Sequence, residues 1–245
     1  MNPACVIPAR FDSSRFPGKL LEPLGSSEVL GMTYLRAVKS RLFSRVVVAA
    51  GDRKIAEYCK EKGIEFIETK GEFKSGSERV IWTANALDIE CDVVNLQGDQ
   101  PLFSVDDLEN LNMSGSTRDG VSTLLYSESE NDVNLGGNPV FATLNGRGNI
   151  ITFSREKIPG GHGIKDKLFH IGIYYFPKVW LQNSKRSLLF HECEWSDKES
   201  LEQVNLLCSG VSFFPVFASD CPPEVNTRQD LIDAQLYWKE VCNVQ

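Results

Sequence analysis

The sequence lacks the marks of several common protein classes. Its seven cysteines, Cys5, Cys59, Cys91, Cys193, Cys208, Cys221 and Cys242, are odd in number, scattered and without a C-x-x-C pair, which argues against a disulfide framework or a zinc ribbon. Several have apolar neighbours and read as small core residues of a protein in a reducing cytosol. No apolar run approaches the roughly 18 to 20 residues of a membrane span. The N-terminus, Met-Asn-Pro-Ala-Cys-Val-Ile-Pro-Ala-Arg, has no charged lead followed by an apolar stretch, so no signal peptide and a cytoplasmic location are expected. Positive charge is in deficit: 26 Lys and Arg against 33 Asp and Glu leave a net charge of −7, the wrong sign for a partner of DNA or RNA polymers. A small polyanion is still possible, because a few cations focused in one cleft suffice to hold it. Neither G-x-x-x-x-G-K-[ST] nor G-x-G-x-x-G occurs, so a P-loop ATPase and a dinucleotide dehydrogenase both lose ground.

What is present suits a globular chain: 245 residues, 42% hydrophobic and 24% charged. A chain of this length buries roughly 70–75% of its unfolded surface and needs no staple. Short β-rich runs alternate with helical patterns over the first hundred residues, the mark of a parallel sheet covered by helices. Strands are expected at Ala4–Pro8, Arg45–Ala50, Ile64–Ile67 and Asp92–Gln97. Between them, Ser27 is expected to cap a helix running to about Leu42 with Leu30, Tyr34, Leu35 and Val38 on one side. A second helix begins near Asp52 and stops at Gly63, and a third begins near Ser77. Beyond residue 100 the rhythm changes. Val121–Tyr126, Pro139–Leu144 and Leu168–Phe176 read as strands without a long helix after each, so an inserted β-rich lobe over roughly 121–195 is expected. A helix from Ser196 or Asp197 through Cys208, a strand at Val211–Ala218 and a C-terminal helix capped by Thr227 complete a single domain.

Open parallel sheets bind ligands beyond the carboxyl ends of their strands. After the first strand comes Pro8-Ala9-Arg10-Phe11-Asp12-Ser13-Ser14-Arg15-Phe16-Pro17-Gly18-Lys19. Arg10, Arg15 and Lys19 supply forked and point charges for a triphosphate, with small residues between them that let backbone N–H groups approach an anion. After the third strand, Lys74-Ser75-Gly76-Ser77-Glu78-Arg79 opens a helix whose N-terminus suits a phosphate, a ribose or a base edge. After the fourth, Asn95-Leu96-Gln97-Gly98-Asp99-Gln100-Pro101 sets a carboxylate at a strand end, where a Mg²⁺ carried by a triphosphate needs one.

These three motifs, in this order, resemble those of the 3-deoxy-manno-octulosonate cytidylyltransferases, also called CMP-Kdo synthetases. The resemblance continues through Phe153-Ser154-Arg155-Glu156-Lys157-Ile158-Pro159, His170-Ile171-Gly172-Ile173-Tyr174, Ser200-Leu201-Glu202-Gln203 and Val225-Asn226-Thr227. It implies a Rossmann-like α/β nucleotidyltransferase fold, with a mixed, mostly parallel sheet, helices on both faces and a dimerisation lobe. It also implies that CTP reacts with the anomeric hydroxyl of a 3-deoxy-2-ulosonic acid to give a CMP-sugar and pyrophosphate for lipopolysaccharide synthesis, in a homodimer. Pro8, Ala9, Arg10, Ser13, Arg15, Lys19, Ser75, Gly76, Arg79 and Gln97 would bind CTP, with Lys19, Arg10, Arg15 and Asp99 carrying catalysis. Asp99 and Asn226 would ligate Mg²⁺, and Arg155, His170, Tyr174, Glu202 and Gln203 would meet the sugar acid.

The chain departs from the family at three places. Asn226 stands where Asp is expected, which turns a metal carboxylate into an amide and leaves one more positive charge uncompensated. Phe141 stands where the family carries Lys, and Phe169 replaces an Arg before the His. Fewer cations and more aromatics on the sugar side point to an altered acid, such as an 8-amino-Kdo or a nonulosonic acid, or to a catalytically weak nucleotide-binding homologue. His191-Glu192-Cys193-Glu194 lacks partners at metal-ligand spacing and reads as surface, while Gly160-Gly161-His162-Gly163 suits a lid.

Overall fold

The computed structural model describes residues 1–128, 139–156, 167–184 and 201–242. The Gly160–Gly163 loop, the His191–Glu194 run, Lys157-Ile158-Pro159 and the expected helix start at Ser196 or Asp197, through Ser200, lie outside the described residues. Two compact units make up the chain, one of Met1–Val105 with Pro222–Gln245 and one of Asp106–Cys221. The lobe drawn over 121–195 falls inside the second.

In the first unit, β1 (Ala4–Ala9), β4 (Arg45–Ala50), β5 (Phe66–Glu68) and β6 (Val93–Asn95) form a parallel sheet in the order β5-β4-β1-β6. All of β1 and all but the first residue of β4 are buried, which is why Ala-Cys-Val-Ile and Arg-Val-Val-Val-Ala-Ala read as runs rather than alternations. Strand order reverses between β1 and β6, so the crevice at their carboxyl ends is where a ligand is expected. The buried Cys59 thiol is pushed up to about 12 by desolvation, and that of Cys5 higher still, so both act as core residues.

Helix α1 spans Val29–Ser40, and Ser27 does not cap it. Ser27 instead lies in β3 (Ser27–Glu28), paired with β2 (Pro23–Leu24). The buried face is Val29, Leu30, Met32, Thr33 and Ala37, with Leu35 and Val38 exposed at 40% and 46%. Thr33 accounts for the rotation: its Oγ1 donates to the Gly98 carbonyl at 3.0 Å, a polar anchor invisible to apolar periodicity. Helix α2 (Arg53–Lys62) has the expected Asp52 cap and Gly63 stop. Helix α3 (Gly76–Ala86) begins one residue earlier than expected, capped by Ser75. In the C-terminal helix Arg228–Cys242, Thr227 Oγ1 accepts from Asp230 N at 3.2 Å while Asp230 Oδ2 accepts from Thr227 N at 2.7 Å, a reciprocal cap.

Glu28 ties this unit's hairpin to α2. Desolvation alone would raise its pKa, but donors from Lys62 Nζ at 2.8 Å, Tyr58 Oη at 2.7 Å and Ser27 Oγ at 3.0 Å outweigh it and hold the carboxyl at about 2 instead of 4.5. A depressed acid stabilises the fold above its unfolded pKa, and that stability is lost as pH falls toward the folded value. Glu28→Gln is therefore expected to lower Tm by roughly 2–4 °C at neutral pH. The deficit should close between pH 4.5 and 2, and a deficit unchanged at the acid end of a melting series would remove the charge from this account.

The second unit holds β7 (Val121–Glu128), β8 (Phe141–Leu144), β9 (Ile150–Ser154), β10 (Lys167–Phe176) and β11 (Phe213–Phe217) in the order β10-β7-β11-β9-β8. Only β7 and β11 run parallel here, so the mostly parallel character belongs to the first unit. β8 also meets β10 through Phe141 and Phe169, whose rings lie 5.0 Å apart. The two aromatics thus form a cross-strand pair. Helices α4 (Val105–Gly115) and α5 (Lys178–Ser184) were not anticipated from the sequence. A short helix at Glu202–Cys208 is the described part of the expected one. Among the described residues no helix is long and apolar enough to cross a membrane.

Candidate functional site

The loop after β1 leaves the sheet and closes on itself. Gly18 N donates to Phe11 O at 2.9 Å. Gly18 has φ +78°, a conformation that favours glycine, and a Cβ there would crowd the Phe11 ring at 3.1 Å. Asp52 pins the loop to the next βα junction: its Oδ2 accepts from Phe11 N at 2.5 Å, and its Oδ1 caps α2 by accepting from Ile55 N at 3.1 Å. The Lys54 ammonium stands 3.7 Å above the Phe11 ring centroid, a cation–π contact. Reading the first loop by itself overlooked Asp52, whose place right after β4 was the available signal.

The closed loop delivers Lys19, the first residue of a 3-10 turn, into the crevice. Its Nζ lies 2.5 Å from Asp99 Oδ2 and 3.0 Å from Asn226 Oδ1. The exposed Arg15 reaches the same oxygen through Nη2 at 3.0 Å. Val225 N donates to Asp99 O at 2.9 Å, which registers the returning C-terminal segment against the end of β6. Arg15, Lys19, Asp99 and Asn226, far apart in sequence, thus form one cluster. Two residues to which the sequence reading gave no role join it. Glu224 Oε1 accepts from Gln100 Nε2 at 2.8 Å, and Glu224 Oε2 accepts from Asn226 Nδ2 at 3.1 Å. Desolvation raises the Glu224 pKa and the Asp99 charge raises it further, against the donors Gln100 and Asn226 and the Lys19 charge.

On the other flank of β1, Gly51 N donates to Ala9 O at 2.7 Å. The buried Arg79 side chain donates to Thr69 Oγ1 and lies over the Phe73 ring at 4.7 Å. A Cβ on Gly51 would come 2.8 Å from Arg79 Nη1. Desolvation lowers the Arg79 pKa and the positive charge of Arg10 lowers it further, with Asp52 and Glu78 opposing. Two guanidiniums in electrostatic reach, one of them desolvated, are an arrangement that an anion relieves. Ser13 sits part-buried in the same loop.

Ser75 Oγ accepts from Glu78 N at 3.1 Å, and Glu78 Oε2 accepts from Lys74 N at 2.6 Å, so Ser75 and Glu78 fix the start of α3. A Cβ on Gly76 would sit 3.1 Å from Gln97 Oε1 and 3.4 Å from Pro8 Cγ. Pro8, Gly76 and Gln97 are therefore packed together, and a side chain at 76 would crowd Gln97. Gln97 is oriented from behind: its Nε2 donates to Asn95 Oδ1 at 3.2 Å, and Asn95 Nδ2 donates to Ser77 Oγ at 3.0 Å.

The crevice fits a hard cation. An ammonium already stands between a carboxylate and an amide oxygen, and all the facing donors are oxygens. Among the described residues no group of three or more His, Cys, Asp or Glu assembles. Mg²⁺ takes one or two carboxylates and completes its shell with water and substrate oxygens, and Asp99 and Asn226 are the residues that could hold it here.

Within the second unit, β10 changes register against β7 between Ile171 and Tyr174. Thr123 Oγ1 holds this irregularity, donating to Ile173 O at 2.7 Å and lying 3.0 Å from His170 Nε2. Four residues of regular strand span roughly 13 Å, yet the rings of His170 and Tyr174 are 5.3 Å apart. The bulge therefore brings these two predicted residues together, a common use of bulges beside sites. Tyr174 Oη is 3.5 Å from Gln203 Oε1. Desolvation takes the His170 pKa from 6.5 down to about 3, so the imidazole is neutral at physiological pH although its side chain is only part-buried by area. Arg155 directly follows β9, and Glu202 opens its short helix.

A parallel sheet whose order reverses beside a lysine, two arginines and a set of hard oxygen donors defines a nucleotide-handling α/β protein. Residues 4–213 match the cytidylyltransferase family. The chain is 35% identical to the 3-deoxy-manno-octulosonate cytidylyltransferase of Chlorobium luteolum, covering 94% of this chain and 95% of that one. It is 32% identical to the enzyme of the same name from Coxiella burnetii, with coverage of 95% and 98%. A solved structure of CMP:2-keto-3-deoxy-manno-octonic acid synthetase complexed with CTP superposes with a TM-score of 0.84 at 28% identity, over 98% of this chain and all of that one. This chain belongs to the cytidylyltransferase family, among the 3-deoxy-manno-octulosonate cytidylyltransferases.

Proposed function

We propose that this protein transfers the cytidylyl group of CTP to the anomeric hydroxyl of 3-deoxy-manno-octulosonate (Kdo), releasing pyrophosphate, in a Mg²⁺-dependent step of lipopolysaccharide synthesis. The observation that carries the reading is the Lys19 ammonium held between Asp99 and Asn226 at the carboxyl ends of β1 and β6. In the reaction, the anomeric oxygen forms a bond to the α-phosphorus, and the bond from that phosphorus to the bridging oxygen of the β-phosphate breaks. Its electron pair leaves with pyrophosphate, and the hydroxyl proton passes to the carboxylate that the sugar acid carries on the same carbon. Such reactions are governed by positioning and electrostatics.

The residues divide this work by charge. Arg10 and Arg79 receive the triphosphate where their mutual repulsion favours an anion. Lys19 and Arg15 neutralise charge growing on the departing pyrophosphate. Pro8, Ala9, Ser13, Ser75, Gly76 and Gln97 take the nucleoside, with Gln97 Oε1, held close to Gly76, offering an acceptor. Asp99 and Asn226 would hold the Mg²⁺, which would supply charge neutralisation to the triphosphate. In the second unit, Arg155 pairs with the carboxylate of the sugar acid, and Tyr174, Glu202 and Gln203 address its hydroxyls. His170, being neutral, serves as a hydrogen-bonding partner there and not as a cation. The proposal includes a homodimer assembled through that unit, which gel filtration with light scattering tests.

Pyrophosphate release from CTP and Mg²⁺ with a panel of acids tests the reading. Release with Kdo is expected. Release only with 8-amino-Kdo or a nonulosonic acid would move the substrate toward the alternative that Phe141 and Phe169 raise. No release with any acid, while CTP still binds, would leave a nucleotide-binding homologue without catalysis.

A further inference from the structure

Asn226 offers the crevice a neutral oxygen, and a carboxylate stands two residues before it. Glu224 reaches the cluster through both oxygens, one on Gln100 and one on Asn226, and lies within electrostatic reach of Asp99. Its contacts also orient the amide between them: with Nδ2 committed to Glu224, the Asn226 Oδ1 faces Lys19 and Arg15. Gln100 adds an independent sign of a missing partner. It is only 4% exposed, its Nε2 is spent on Glu224, and its Oε1 has no hydrogen-bond partner among the described residues. Amide oxygen and nitrogen share one carbon, so this orphaned acceptor sits at the same end of the side chain, beside the Glu224 carboxylate. A buried acceptor without a partner is unfavourable, and so is a desolvated carboxylate facing another. One cation relieves both.

Lys19 is not enough for that role. Its single positive charge faces two acids, and a triphosphate competes for the same ammonium. Once Lys19 turns to phosphate, Asp99 and Glu224, which are in electrostatic reach of each other, lose the ammonium that both feel.

We propose that Glu224 is a ligand of the divalent cation at Asp99, supplying the second negative charge that the amide of Asn226 lacks. This rests on the metal assignment of the proposed function. It makes the donor set Asp99, Glu224 and an amide oxygen from Asn226 or Gln100, two carboxylates being the usual protein share for Mg²⁺.

The test is Mn²⁺ binding to the full-length protein, with and without CTP, followed by electron paramagnetic resonance of the free ion and by the Mn²⁺-induced rise in Tm. Controls with CTP alone correct for metal bound to nucleotide. Glu224→Gln is expected to weaken Mn²⁺ binding by roughly 10–100-fold and to shrink the Tm rise, in a protein that still melts cooperatively. Affinity within about twofold of wild type, less than 0.5 kcal/mol at 1.4 kcal/mol per tenfold, overturns the proposal. If Glu224→Gln does not fold, Glu224→Asp carries the same test, because it keeps the charge but withdraws the ligand: weaker Mn²⁺ binding supports the proposal and unchanged binding overturns it. Asp99→Asn separates the two assignments. Loss of binding there, with wild-type affinity in Glu224→Gln, sinks only the role of Glu224. A wild-type protein with no Mn²⁺ site of its own sinks the metal assignment as well.

Discussion

Lys19→Met is expected to lower kcat/KM for CTP by roughly 10²–10³-fold, the scale of losing one charged donor at a transition state. Methionine keeps most of the aliphatic reach but removes the ammonium, so the loss reports charge and not packing. The same change removes the Lys19–Asp99 ion pair, whose side chains are 11% and 21% exposed. Breaking a largely buried pair leaves an uncompensated charge. The variant should therefore melt below wild type in EDTA and recover more stability than wild type when Mg²⁺ is added without CTP, because the ion replaces the missing ammonium. Calorimetry in EDTA and in a Mg²⁺ series reads both effects. A variant with wild-type turnover would take Lys19 out of the reaction, and one whose Mg²⁺ response matches wild type would separate the ammonium from the metal position.

Asp99→Ala is expected to abolish Mg²⁺-dependent turnover, a fall of at least the same order. It differs from the Lys19 change in a way that can be measured. Without Asp99, the Lys19 ammonium keeps only the Asn226 oxygen at 3.0 Å and is released toward the triphosphate, so CTP binding measured without metal should be retained or strengthened while turnover vanishes. Lys19→Met should weaken CTP binding with and without metal. Isothermal titration of CTP in EDTA distinguishes the two variants. Turnover that survives intact in Asp99→Ala would remove this residue from the metal site.

The first unit was legible wherever backbone demands show in residue type. Val-Val-Val-Ala-Ala announces a doubly buried strand, Gly63 a helix stop, and Pro-Gly-Lys a turn that delivers a cation. What stayed hidden depends on pairings between distant segments. Thr33 sets the rotation of α1 through a carbonyl far along the chain, so the apolar pattern pointed to Leu35 and Val38, which are exposed. Asp52 acts on a loop that precedes it by a whole helix and strand. Glu224 gains its meaning only once β6 and the C-terminal segment are side by side, since in sequence it is an acid after two prolines. The second unit was harder, because a bulge such as that between Ile171 and Tyr174 breaks the period on which strand reading relies. His170 and Tyr174 could be named through resemblance, but nothing in their spacing announces rings 5.3 Å apart.

The first unit is discontinuous: Pro222–Gln245 returns to it after the whole of Asp106–Cys221 has intervened. During synthesis the second unit is therefore complete and free to collapse while the first still lacks its last helix. Lys19 and Asp99 leave the ribosome long before Glu224 and Asn226, and for that interval the crevice has neither its capping segment nor its full set of oxygens. Closing so long a loop delays the final docking more than it weakens it, since closure entropy grows only logarithmically with length. A chain cut short before residue 222 keeps the cationic loop that Asp52 pins but lacks the oxygens of Glu224 and Asn226.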